Sequence, residues 1–217
     1  MENSSEVKAV IFDMDGVLQD SETISDVTWE IAAQEFHIKN WFDTVTECRG
    51  CNKADTITIL KKHYGDDFEA ESFLERTREL FHKVEESQGI PLMYYAKEIL
   101  DYLKPKYKLA LASSTRGESV RRQMKAAGLI DFFESLTTGD MVSHSKPEPE
   151  IYLKAAESIG IKPENCIAVE DSPNGVKSAC AAGLRVIMVP DKIQPDENLK
   201  KACWKICKNL EEVKNLI

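Results

Sequence analysis

The chain has 217 residues, enough for one large domain or two small ones with a buried core. Its 28 basic and 37 acidic residues leave a net charge of −9 with no basic stretch, which argues against a nucleic-acid partner. No apolar segment approaches the roughly 20 residues that span a bilayer, and Met1 to Glu6 carry no leader-like pattern, so the expected setting is cytoplasmic, away from membranes.

In chain order, the apolar run from Val7 to Phe12 is short, rich in β-branched residues and closed by Gly16. It reads as a buried strand whose C-terminal end carries Asp13 and Asp15. About 70 residues without a convincing strand follow. There Ile24, Val27 and Ile31 share one helical face, as do Ile57, Leu60 and Tyr64, and Phe73, Thr77, Leu80, Phe81 and Val84. Gly89-Ile90-Pro91 reads as a return linker. Strands are then expected at 108–112, 167–169 and 185–189, with helices at about 117–127, 149–159 and 173–182. Strand–helix alternation points to an α/β fold with a doubly wound parallel sheet. The predicted layout is a catalytic core (1–16 and 90–217) with an inserted helical cap (17–89), placed to close over the end of the first strand and exclude water.

The ends of the later strands carry the rest of the chemistry. Ser113-Ser114-Thr115-Arg116-Gly117 precedes a helix. Its hydroxyls and backbone N–H groups read as a phosphate site or, more plainly, as a helix cap. Lys146 sits in a loop stiffened by Pro147 and Pro149. Glu170 and Asp171 end a third apolar strand, where Asp171-Ser172-Pro173 alone would simply start a helix. In open parallel sheets this edge is where ligands bind. Together these positions put Asp13, Asp15, Glu170 and Asp171 in one acidic pocket beside Ser113 and Lys146. Clustered carboxylates repel unless a cation joins them, and oxygen ligands of this kind suit Mg²⁺ completed by a substrate phosphate. Of the six cysteines, Cys48 and Cys51 have C-x-x-C spacing, but no second ligand pair lies nearby, so reduced, unpaired thiols are expected.

The motifs Asp13-Met14-Asp15-Gly16-Val17-Leu18, Ser113, Lys146-Pro147 and Glu170-Asp171 resemble the four ordered motifs of the haloacid dehalogenase superfamily. Asp20-Ser21-Glu22, Lys146-Pro147-x-Pro149 and Glu170-Asp171-Ser172-x-x-Gly175 further resemble its β-phosphoglucomutase-like branch, which carries a helical cap in the same place. The resemblance implies a Mg²⁺-dependent phosphatase acting on a small phosphorylated metabolite, a sugar phosphate, through an aspartyl-phosphate. Asp13 would be nucleophile and metal ligand. Asp15 would be general acid/base, with its backbone carbonyl on the metal. Ser113, Ser114 and Lys146 would bind phosphate. Asp171 would bind Mg²⁺ with Glu170 in or beside the first shell. Arg49, Lys53 and Arg116 would contact the rest of the substrate. A monomer is expected.

Dehalogenase members lack an acid at the position of Asp15, so its presence favours phosphoryl transfer. A phosphomutase is the alternative, weakened because Ser25 stands where the mutases carry a His. Gln19, Tyr94-Tyr95 and Glu150 also depart from the branch pattern. A receiver-like regulatory domain would be about half this length and uncapped. A catalytically silent member would not need to keep every motif residue.

Overall fold

The computed structural model describes residues 6–49 and 53–217. The chain divides into two compact units, one running to Asp20 and resuming at Pro91–Ile217, the other Ser21–Ile90.

The first unit is built on a six-stranded parallel sheet: β1 (Ala9–Phe12), β2 (Lys108–Ser113), β3 (Ser135–Thr138), β4 (Cys166–Glu170), β5 (Arg185–Met188) and β6 (Lys205–Ile206). Their spatial order is β3-β2-β1-β4-β5-β6, so β1 is an inner strand with β2 and β4 beside it. Alternation along β1 explains why its residues are apolar throughout. Val10 and Phe12 enter one buried cluster and Ala9 and Ile11 the other, on opposite faces of the sheet. The first face is covered by α5 (Ala96–Leu103), α6 (Gly117–Ala126) and α10 (Leu210–Lys214); the second by α7 (Glu150–Ser158), α8 (Pro173–Ala181) and α9 (Glu197–Ala202). Burying each large aliphatic or aromatic side chain contributes about 1.5–3 kcal/mol. The fold is therefore a doubly wound α/β layer.

Four strands lie where the sequence pattern puts them. The two it misses, β3 and β6, are the sheet edges. An edge strand pairs on one side only and needs no continuous apolar run: β3 reads Ser-Leu-Thr-Thr, with its two threonines buried, and β6 is two exposed residues. Helices α5, α9 and α10 also escape the sequence reading.

The second unit contains α1 (Ser21–Glu35), α2 (Trp41–Cys48), α3 (Lys53–Tyr64) and α4 (Ala70–Gln88) around a separate core. Trp29 and Phe36 meet Phe73 edge to face at 5.1 and 5.4 Å. The expected apolar face of the first helix is corrected here. Val27 and Ile31 are 48% and 38% exposed, while Thr28, Trp29, Ala32 and Ala33 are buried. The bulk of Trp29 sets the buried stripe on a neighbouring face.

The border between units also differs from the sequence reading. Val17–Asp20 fold back on β1 instead of joining the helical unit. Gln19 N–H donates to Met14 O and Gly16 N–H to Gln19 O, while Met93 N–H donates to Leu18 O and Asp20 N–H to Pro91 O. Val17 and Leu18 are buried in the sheet core. Among the described residues, no helix is long and apolar enough to cross a membrane. Cys166, Cys180, Cys203 and Cys207 carry free thiols. Cys51, and with it the Cys48–Cys51 pair, lies outside the described residues.

Candidate active site

The register of β1 assembles the site. Phe12 stands opposite Val169 on one side and Leu111 on the other. The next residue, Asp13, donates its N–H to Val169 O at 3.0 Å. One step past paired strand ends, Asp13 meets Glu170, Asp171 and the β2 end.

Carboxylate oxygens of Asp13, Glu170 and Asp171 lie within 4.8 Å of one another. Lys146 enters this cluster with its side chain only 7% exposed. Its ammonium donates to Asp13 Oδ1 at 2.6 Å, Glu170 Oε1 at 2.6 Å and Ala112 O at 3.2 Å. An ammonium has three N–H bonds, and all three are used. Burial pushes the Asp13 carboxyl up to about 8, against the attraction of Lys146 and with help from the nearby Glu170 and Asp15 charges. Burial works the other way on Lys146, but Asp13 and Glu170 together hold its ammonium above the ordinary lysine range. Three clustered carboxylates facing one ammonium carry excess negative charge, and their all-oxygen donor set fits Mg²⁺.

Glu170 is completely buried and densely bonded. Its Oε1 accepts from Lys146 and from the Tyr152 hydroxyl at 2.8 Å. Its Oε2 accepts from Asp171 N–H at 3.1 Å, Ser172 N–H at 3.3 Å and Ser172 Oγ at 3.1 Å. Ser172 also caps α8, accepting from Gly175 N–H, with Pro173 in the first turn. Two glycines make room. A Cβ at Gly16, whose φ is +75°, would overlap the Asp171 carboxylate, and a Cβ at Gly175 would overlap that of Glu170.

Asp15 stands in different surroundings. Its Oδ2 accepts from the Thr115 hydroxyl at 2.9 Å, with the Ser113 hydroxyl at 3.5 Å. Ser113 is buried and its Oγ accepts Thr115 N–H at 3.1 Å. Asp140 Oδ1 accepts Gly117 N–H at 2.8 Å and the Thr138 hydroxyl at 2.7 Å, tying down the start of α6. Ser114 and Arg116 are exposed on this loop.

The structure thus brings together Asp13, Asp15, Ser113, Lys146, Glu170 and Asp171. Arg49 and Lys53 belong to the second unit. There the Arg49 guanidinium is engaged by Asp26 and sits 3.6 Å from Glu22, while Lys53 is exposed at the start of α3. Two residues around the site had escaped the sequence reading as partners of its acids. Tyr152 had a signal: a phenol on an otherwise apolar buried helix face needs a hydrogen-bond partner. Thr115 is two residues past Ser113, the period that returns a side chain to the same side of an extended segment. Gln19 is buried, and among the described residues its Oε1 has no hydrogen-bond partner.

Residues 10–189 match the family model described as haloacid dehalogenase-like hydrolase. The chain is 30% identical over 218 residues to the phosphorylated carbohydrates phosphatase of Thermotoga maritima, covering 97% of this chain and 98% of that one. It is 32% identical over 183 residues to hexitol phosphatase A of Escherichia coli, covering 84% and 82%. Among solved structures, a haloacid dehalogenase-type hydrolase of family IA, variant 3, from Entamoeba histolytica superposes with a TM-score of 0.79 at 25% identity, covering 95% of each chain. The motif acids, the strand order that gathers them and a match over most of the sequence agree: the chain is an enzyme of the haloacid dehalogenase-like hydrolase family.

Proposed function

We propose that the protein is a Mg²⁺-dependent phosphatase that hydrolyses a small phosphorylated metabolite, a sugar phosphate, through an aspartyl-phosphate on Asp13. The observation that carries this reading is the pair of acids two residues apart in unlike settings. Asp13 lies in the oxygen cluster with Lys146, and Asp15 is held by a hydroxyl. Unlike surroundings suit unlike roles.

Asp13 attacks phosphorus, and the bond to the leaving oxygen breaks as Asp15 gives that oxygen a proton. Asp15 then takes a proton from the water that attacks the aspartyl-phosphate, releasing phosphate and restoring Asp13. Ser113 Oγ accepts Thr115 N–H, and its hydroxyl, which makes only a long 3.5 Å contact with Asp15, is the proposed donor to a phosphoryl oxygen. The Ser114 backbone N–H is proposed as a second donor. Lys146 holds positive charge beside Asp13 where the phosphoryl group arrives. Asp13 and Asp171, the Asp15 carbonyl and Glu170 would hold Mg²⁺, which when bound keeps Asp13 ionised and offsets phosphoryl charge. Arg116, Lys53 and Arg49 are the proposed contacts for the non-reacting part of the substrate. The names of the Thermotoga and Escherichia relatives support a phosphorylated carbohydrate or polyol.

The test is Asp13→Asn assayed with p-nitrophenyl phosphate and Mg²⁺. Loss of at least about a thousandfold in phosphate release with the circular dichroism spectrum retained is expected. Full activity would overturn the nucleophile assignment. Rapid conversion of β-glucose 1-phosphate to glucose 6-phosphate in the presence of glucose 1,6-bisphosphate, without phosphate release, would instead favour a mutase.

A further inference from the structure

We infer that Thr115 is a positioning residue for the general acid/base, holding the Asp15 carboxyl group at the phosphoryl-transfer site through its hydroxyl. The inference rests on the phosphatase reading above and deepens it.

The bond joins the ends of two neighbouring strands, β1 and β2, across 100 residues of sequence. At 2.9 Å it is well formed, whereas Ser113 is 3.5 Å from the same Asp15 oxygen. Thr115 is itself fixed on both sides of its backbone. Its N–H donates to Ser113 Oγ at 3.1 Å, and its carbonyl accepts Gly139 N–H at 3.0 Å. The hydroxyl therefore projects from a loop anchored at β2 and beyond β3, on the same sheet edge as Asp13.

Chemistry makes a hydroxyl suitable here. An acid/base residue alternates between carboxylate and carboxylic acid. A backbone N–H or an ammonium can only donate, so it favours the ionised form. A threonine hydroxyl donates to the carboxylate and, after a rotation about C–O, accepts from the acid. It can hold Asp15 in place through both halves of the cycle without favouring one as strongly as a fixed cation would. Proton transfer by a placed side chain contributes typically 10²–10⁴-fold, and that contribution depends on position.

Thr115→Val keeps the branched shape and removes the hydroxyl; Thr115→Ser restores it. The comparison uses kcat/KM for p-nitrophenyl phosphate, whose nitrophenolate leaves without needing a proton, and for phenyl phosphate, whose leaving group needs one. Thr115→Val should lose at least about tenfold more on phenyl phosphate than on p-nitrophenyl phosphate, and Thr115→Ser should recover most of the difference. An equal loss on both esters, or none, would overturn the inference, because a merely structural role is blind to the leaving group. If the valine variant does not fold, Thr115→Ala carries the same comparison. Wild-type protein that releases phosphate from neither ester would overturn the phosphatase reading itself, and the inference with it.

Discussion

Adding one methyl group at Gly175 tests how rigidly the site is built. Gly175 lies in the first turn of α8, and a Cβ there would fall within the van der Waals envelope of the Glu170 carboxyl carbon and both its oxygens. Glu170 cannot step aside cheaply, because it is fully buried and bonded to Lys146, Tyr152, Asp171 and Ser172. Helix propensity alone would make alanine better than glycine by about 1 kcal/mol. Against it stand about 1–3 kcal/mol for overpacking and about 1.5–3 kcal/mol for each hydrogen bond to the charged carboxylate that is lost. With one such bond broken, Gly175→Ala should be destabilised by about 1.5–5 kcal/mol. At about 2–4 °C per kcal/mol for a chain of this size, the melting temperature should fall by at least about 3 °C. The displaced carboxylate would carry Lys146 with it, so phosphate release should fall too. Circular dichroism melting and a phosphate-release assay measure both. A variant that melts at or above the wild-type temperature with full activity would refute the reasoning, because the carboxylate would then have room to move.

Three further outcomes are expected. Tyr152→Phe removes one donor from buried Glu170 and should cost about 1.5–3 kcal/mol in urea unfolding, with little change in packing. Glu150 is held down to about 2, first by Lys154 and then by the Ser143 and His144 amides. A carboxyl held below its ordinary 4.5 stabilises the fold fully above that pH and loses the contribution as pH falls towards about 2. Glu150→Gln should therefore lower the urea midpoint at pH 7, with the gap from wild type closing between about pH 4.5 and 2. Gln19→Leu should raise the melting temperature, because it removes a buried amide oxygen that has no partner among the described residues; an unchanged or lower value would mean the amide contributes to packing.

The fold was legible wherever burial leaves a composition mark. Inner strands must be apolar on both faces, so β1, β2, β4 and β5 stand out as runs, while the edge strands do not: β3 is largely hydroxylated and β6 is short and exposed. The motif acids were legible because carboxylates at the end of an apolar strand have no cheap structural explanation. Their partners were less so. Thr115 and Tyr152 look locally like a cap residue and a core aromatic, and only the register of β1 against its neighbours reveals what their hydroxyls reach. Tyr95 marks another limit. It takes a left-handed conformation, φ +67°, at the start of α5, a region of backbone space that favours glycine. Its ring packs on the sheet core, and its hydroxyl accepts from Lys214 at 3.3 Å. Those long-range contacts override the local preference and leave no trace in neighbouring residues.

The inner position of β1 has a consequence for synthesis. The strand is made before both of its hydrogen-bond partners, residues 108–111 on one side and 166–169 on the other. The nascent chain must keep one side of an apolar segment unpaired until residues 166–169 have been made, and sheet closure waits on contacts of high sequence separation. A chain interrupted before β4 would present β1 as an exposed apolar edge, ready to add a strand from another chain. The arrangement that puts the two acids at the heart of the sheet thus also makes this segment a point of aggregation risk during folding.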